Sequence, residues 1–147
     1  KTLTDHNFKT IVVVGSSNKN LTEIQKSLKH CAANIKLIIN TKNMAQLIAE
    51  SHLVLCAGGS TCWEVAFMGI PMINIIVAEN QIMIANGIEL KGGSRNLGWY
   101  KNVSEMTIAR EIESLSTSYQ ERVGMTKVLQ SMVDEQGTKR ILEALQG

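Results

Sequence analysis

The sequence predicts an α/β fold, a parallel sheet flanked by helices, and three observations predict it. Short apolar runs alternate with longer stretches whose apolar residues recur at three- and four-residue spacing. One of these runs, Met72 to Val77, is too apolar to have a wet face, as befits a strand covered on both sides. Another, Leu53 to Cys56, passes through Ala57-Gly58-Gly59 straight into a helix-forming stretch, the junction expected where a parallel strand hands over to its crossover helix.

Taken in order, Thr10 to Val14 is a buried strand, and Asn20 caps a helix with Glu23 at its third position. Lys36 to Ile39 is the next strand and Met44 to Ser51 the next helix. The Leu53 strand follows, with Ser60 and Thr61 where its helix begins. Gly69-Ile70-Pro71 ends that helix, glycine suiting a helix C-terminus and the chain's only proline blocking continuation. After the Met72 strand comes the polar cluster Ala78-Glu79-Asn80-Gln81, and then a helix from Ile82 to Leu90. Beyond Lys91-Gly92-Gly93 the alternation stops. Asn96-Leu97-Gly98-Trp99 reads as a turn or short strand, and Ser104 to Leu115, Tyr119 to Met132 and Gln136 to Leu145 read as helices.

Composition fits one such domain. The chain has 147 residues, 44% hydrophobic and 19% charged, enough to build a single core. Aromatic residues at 4% argue against stacking platforms for single-stranded nucleic acid, and a net charge of +2 is too small to imply a nucleic-acid or membrane partner. The apolar runs are too short to span a bilayer, and no signal peptide is visible. Cys31, Cys56 and Cys62 cannot all pair and lack metal-ligand spacing, so they read as reduced thiols of a cytoplasmic protein.

The chemistry concentrates where the Leu53 strand ends. Missing side chains at Gly58 and Gly59 let backbone N–H groups approach a ligand, and the start of a helix favours an anion. A nucleoside diphosphate is therefore the first candidate. Thr61-x-x-Glu64 also fits a capping box, in which the two side chains satisfy only the helix start. Ser60 does not fit a nucleophile elbow: Cys62 stands where glycine is required, and His6, His30 and His52 all precede it. Cys62 has no evident partner and reads as an inert buried thiol. Trp63 and the scattered methionines read as packing. No Asp-x-Asp pair exists, and neither a metal nor a cofactor is expected.

The stretch MAQLIAESHLVLCAGGSTCWEVAFMGIPMINIIVAENQ resembles the C-terminal, Rossmann-like half of GT-B fold nucleotide-sugar enzymes. It is most similar to the UDP-sugar hydrolases of the pseudaminic acid pathway and related polysaccharide-biosynthesis proteins, and more distantly to the N-acetylglucosaminyltransferase that makes lipid II. The resemblance implies that Gly58, Gly59, Ser60 and Thr61 cradle the diphosphate and that Glu64 accepts hydrogen bonds from the ribose. It implies further that Asn80 and Gln81 face the sugar and that the backbone at Ile39 and Asn40 holds the base. His52, where these families more often carry aspartate, and Gly15-Ser16-Ser17 depart from the pattern.

The family's C-terminal half opens with a further strand ending in a Gly-Gly-Ser-Asp type loop, and an entire N-terminal half precedes it. The expectation is that residues 1–147 are a single nucleotide-sugar-binding domain, a C-terminal fragment of a longer two-domain enzyme. Its partners would be a UDP-sugar and that missing N-terminal domain, which in the hydrolases carries the water-activating histidine. No catalytic residue is then expected in this fragment. The implied activity is hydrolysis of a UDP-activated deoxyamino sugar for surface polysaccharide or flagellin glycan. The alternatives are donor binding in a GT-B glycosyltransferase and a noncatalytic nucleotide-sugar-binding module.

Overall fold

The computed structural model describes residues 8–29, 31 and 34–146. The chain divides into two compact units, Lys1–Met44 and Ala45–Gly147.

The first unit is a βαβ element of β1 (Thr10–Val14), α1 (Leu21–Lys29) and β2 (Ile35–Ile39). The two strands are parallel, with Thr10 opposite Ile35 and Val14 opposite Ile39. Thr10 N–H donates to the Asn34 carbonyl and Asn40 N–H to the Val14 carbonyl, extending the ladder at both ends. In α1, Glu23 lies in the first turn and Lys26 and Lys29 in the last, each on the side of the helix dipole that favours its charge.

Helix α2 (Met44–Ala49), which lies in the second unit except for its first residue, stops short of the expected Ser51 because the Ser51 N–H and hydroxyl turn back onto the Ile48 and Leu47 carbonyls. There follow β3 (Val54–Ala57), α3 (Thr61–Phe67), β4 (Met72–Ile76), a 3₁₀ turn at Glu79–Gln81 and α4 (Ile82–Leu90). Then come β5 (Ser94–Trp99), a second 3₁₀ turn at Tyr100–Asn102, and helices α5 (Glu105–Thr117), α6 (Tyr119–Met132) and α7 (Gly137–Gln146). The strands are parallel in the order β3-β4-β5. Among the described residues the ladders thus form two parallel sheets, where the sequence pattern suggested one.

Strand β5 is the main addition to the sequence reading. It starts at Ser94, pairs Ser94 with Met72 and Asn96 with Asn74, then slips register before Trp99 meets Ile76. Gly98, with φ of +81°, sits in the irregular stretch. Its polar residues hold neighbouring helices: Asn96 N–H and its side-chain amide donate to Glu89 and Asn86 of α4. Arg95 grips Glu121 of α6 through two nitrogens and reaches Glu111 of α5 with a third.

Central strand β4 is where the core gathers. Met72, Ile73 and Ile76 are buried, and Ile73 packs with Leu115 of α5 and Met125 of α6. Met83 and Met106 correct the reading of every methionine as core, being 86% and 70% exposed. Both α3 and α4 end in the same way. Gly69 and Gly92, at φ of +67° and +82°, donate to the Ala66 and Glu89 carbonyls, while Ile70 and Gly93 reach back to Val65 and Ile88. That paired closure needs a left-handed residue, which glycine adopts without strain.

Leu129 of α6 is fully buried, and its side chain lies 2.8 Å from where a Cβ on Gly93 would stand. Leu129→Ala is expected to lower unfolding stability by about 2–5 kcal/mol. Leu145→Ala on α7, 79% exposed, is expected to change it by less than about 0.5 kcal/mol. Chemical denaturation of the two variants checks the contrast.

Candidate functional site

Two loops at the carboxyl ends of adjacent parallel strands build the site within the second unit, the position where open α/β sheets hold ligands. One is the Gly58-Gly59-Ser60 turn between β3 and α3. The other is the Val77–Gln81 segment between β4 and α4.

The loops press together at Gly58. A Cβ on that residue would lie 2.9 Å from the Ala85 Cβ and 3.2 Å from the Gln81 carbonyl oxygen, so only glycine fits. Its N–H is committed to the Ile75 carbonyl, and that of Gly59 to the Ala57 carbonyl. Cys62 and Trp63 N–H close the first helical turn on the Gly59 and Ser60 carbonyls. The N–H groups of Ser60 and Thr61 make no hydrogen bond among the described residues, so the donors open to an anion are these two rather than those of the glycines.

The capping-box alternative is not formed. Ser60, at the helix boundary, has helical angles (φ −59°, ψ −31°) and makes no side-chain cap bond, and Thr61 is already inside the helix. A capping side chain needs the extended backbone that neither residue has. Glu64 is consequently exposed, with no partner among the described residues. It follows Ser60 by one helical turn, so both lie on one side of α3, while Cys62, Val65 and Ala66 are buried on the other. Trp63 shares the open side at 41% exposure, only half fulfilling its reading as packing.

On the second loop, the Gln81 side chain is oriented by its own segment. Its Oε1 accepts from Val77 N–H at 3.0 Å, which leaves the NH₂ group beside Gly59, 3.7 Å from where a Cβ there would be. Gln81 thus offers donors only toward the turn. Asn80 is exposed, and its amide is unengaged among the described residues. In the first unit, Asn40 ends β2 with φ of +54° and exposed Ile39 precedes it. Asparagine tolerates this left-handed conformation better than most residues.

Beneath the turn lies a cluster that the sequence reading missed. Cys62, expected to lack a partner, has its Sγ 3.9 Å from that of Cys56 and 3.3 Å from the Ala57 carbonyl. Asn74 of β4, directly opposite Cys56 in the sheet, donates its amide NH₂ to both sulfurs, at 3.4 and 3.3 Å. The hydrogen bond with Cys62, then burial, raises the Cys56 thiol pKa, while the bond from Cys56 lowers that of Cys62. The strand position of Cys56 and the first-turn position of Cys62 were visible in the sequence, but the inward side of Asn74 was not.

Of the histidines, His52 is exposed, and His6 and His30 lie outside the described residues. Among the described residues, no three His, Cys, Asp or Glu side chains converge as a metal site would require, and no helix is long and apolar enough to cross a membrane.

Comparison with known proteins agrees with this architecture. The chain is 25% identical over 134 residues to the spore coat polysaccharide biosynthesis protein SpsG of Bacillus subtilis, an alignment covering 91% of this chain and 39% of that protein. It is 26% identical over 122 residues to the pseudaminic acid cytidylyltransferase and UDP-2,4-diacetamido-2,4,6-trideoxy-beta-L-altropyranose hydrolase of Helicobacter pylori, covering 71% of this chain and 22% of that one. The chain therefore spans well under half the length of these relatives. MurG of Acinetobacter baumannii has the same fold, with a TM-score of 0.78 at 15% identity over 99% of this chain and 43% of MurG. The sequence profile of the glycosyltransferase family 28 C-terminal domain matches residues 1–144, and the chain belongs to that family, with the Rossmann-like fold of the C-terminal half of GT-B enzymes.

Proposed function

We propose that residues 1–147 form a nucleotide-sugar-binding domain that grips the UDP part of a UDP-sugar. The observation that carries this reading is the exposed Glu64 carboxylate, without a partner among the described residues, one helical turn from the N–H groups of Ser60 and Thr61, which are likewise uncommitted among them. Gly58 and Gly59 shape the turn, and Ser60 and Thr61 donate to the diphosphate. A ribose diol supplies two donors that match a carboxylate, giving Glu64 a ligand partner. Asn80 and Gln81 face the sugar, with the Gln81 NH₂ at the sugar–phosphate junction. Helix-end and backbone donors neutralise the diphosphate, so this reading needs no metal.

The activity favoured for the whole enzyme is hydrolysis of a UDP-activated deoxyamino sugar in the cytoplasm, supported by the likeness to the Helicobacter protein. The water-activating base would come from a preceding N-terminal domain. Membership of the glycosyltransferase family 28 C-terminal domain supports glycosyl transfer from the same donor site as a second reading.

Calorimetric titration with UDP, beside CDP and GDP, tests the proposal. The intact chain is expected to bind UDP selectively. Glu64→Ala is expected to weaken binding about ten- to a hundredfold, the loss of charge-assisted hydrogen bonds worth about 1.5–3 kcal/mol. Its unfolding stability should fall by no more than about 0.3–1 kcal/mol, the worth of an exposed first-turn carboxylate to the helix dipole, because Glu64 makes no capping bond. Unchanged UDP affinity in that variant would remove the ribose assignment.

Gln81→Glu gives a second test, because it keeps an oxygen for Val77 N–H and replaces the NH₂ donors with negative charge. UDP affinity is expected to fall at least about tenfold at low salt, with part of the loss recovered as salt screens the repulsion. Equal affinity in the variant and the original chain would take Gln81 out of the diphosphate's surroundings.

A further inference from the structure

We propose that Cys56 and Cys62 form an oxidisable dithiol, a modification site at which a two-electron oxidant such as hydrogen peroxide closes a reversible disulfide across the Gly58-Gly59-Ser60-Thr61 turn. The two residues bracket the turn from either end, one on the last stretch of β3 and the other in the first turn of α3. Their sulfurs are already 3.9 Å apart. A disulfide needs about 2.05 Å, so each sulfur has only about 1 Å to move.

The surroundings are polar where a purely packing pair would be apolar. Asn74 is completely buried, yet it gives both amide donors to sulfur and leaves its own Oδ1 without a partner among the described residues. That arrangement favours negative charge on the pair. Cys56 is half-buried where Cys62 is fully buried, so the Cys56 sulfur is the one a peroxide meets, and Cys62, its pKa lowered by the bond from Cys56, is the one that resolves it. Cys31, the third thiol, is exposed and lies just past the end of α1, with its sulfur on the Ser27 carbonyl.

The chemistry balances with one peroxide. The Cys56 thiolate attacks one peroxide oxygen, the O–O bond breaks, and the leaving hydroxide takes up the proton that Cys56 gave up, forming water and a sulfenic acid. Cys62 then attacks the sulfenic sulfur, the S–S bond forms as the S–O bond breaks, and the second hydroxide leaves with the Cys62 proton as water. Closing the bond draws Cys62 away from the Ala57 carbonyl and moves the first turn of α3, which carries the open N–H groups of Ser60 and Thr61. A consequence for UDP affinity follows if the function proposed above holds.

The test uses the full chain with Cys31→Ser, treated with hydrogen peroxide and digested without reductant. Expected are loss of both remaining thiols, a single peptide spanning Cys56 and Cys62 that is lighter by two hydrogen atoms, and full reversal by dithiothreitol. Adding Cys56→Ser should abolish that two-hydrogen loss. Both thiols still titrating under conditions that oxidise Cys31 in the original chain, or oxidation to sulfinic acid without a crosslink, would overturn the proposal. UDP titration then follows on the reduced and oxidised protein, with oxidation expected to weaken binding about tenfold or more. Equal UDP affinity in the two forms would overturn the coupling to the turn. A disulfide that forms in a chain whose reduced form ignores UDP would sink the nucleotide reading and leave the dithiol standing.

Discussion

The close approach of two loops at Gly58 is the constraint on which the candidate site depends. A side chain there would meet the Ala85 Cβ and the Gln81 carbonyl, so any larger residue would drive the β3–α3 turn and the start of α4 apart. Because the contact is backbone against helix rather than against a flexible side-chain end, it has little room to relax. With the loops in contact, the Gln81 amide reaches the edge of Gly59, and its oxygen stays on Val77 N–H. The glycine long associated in such turns with ligand approach is here first a packing residue. Its N–H serves the sheet, and the donors left over belong to the two residues that follow.

A polar cluster in the core is an unusual foundation for that turn, and its energetics explain where it sits. An unsatisfied buried acceptor such as the Asn74 Oδ1 costs about 1–3 kcal/mol. Next to it on β4, Ile73 packs with Leu115 and Met125, each buried side chain contributing about 1.5–3 kcal/mol. The apolar cluster can therefore offset the polar one within a few residues of the same strand. Central strand β4 is the place with enough burial on both faces to carry both. Asn74 ties together the two flanks of the turn, linking β4 to β3 through Cys56 and to α3 through Cys62.

What the sequence disclosed was whatever local periodicity and turn chemistry decide. The bounds of β1, α4 and α6 follow from apolar spacing and end where the pattern predicts, and Gly69 closes α3 as glycine before proline suggests. Strand β5 was half hidden because Arg95, Asn96 and Gly98 break its apolar pattern. It is a strand by virtue of its ladder with β4, and its polar residues are used by Glu111, Glu121, Glu89 and Asn86, contacts that no local window contains. The capping box looked complete in one dimension and fails because Ser60 takes helical angles, which places Thr61 a position too far inside. Cys62 gained its partners in the same non-local way, from β3 and β4 together.

Placing a carboxylate so close to a diphosphate looks unfavourable, and magnitudes decide the matter. One helical turn separates Ser60 from Glu64, about 5.4 Å of rise. Two unit charges about 6 Å apart in water-like surroundings repel by roughly 0.7 kcal/mol. Glu64 is exposed, so the water-like value applies, and salt reduces it further. Hydrogen bonds from a ribose diol to a charged acceptor are worth about 1.5–3 kcal/mol each. On the proposed assignment the carboxylate is then a net gain for a ligand that places a diol one turn from its phosphates. For inorganic pyrophosphate, which has no diol, only the repulsion remains. The geometry that makes Glu64 useful for a nucleotide therefore also makes the turn discriminate against the bare anion.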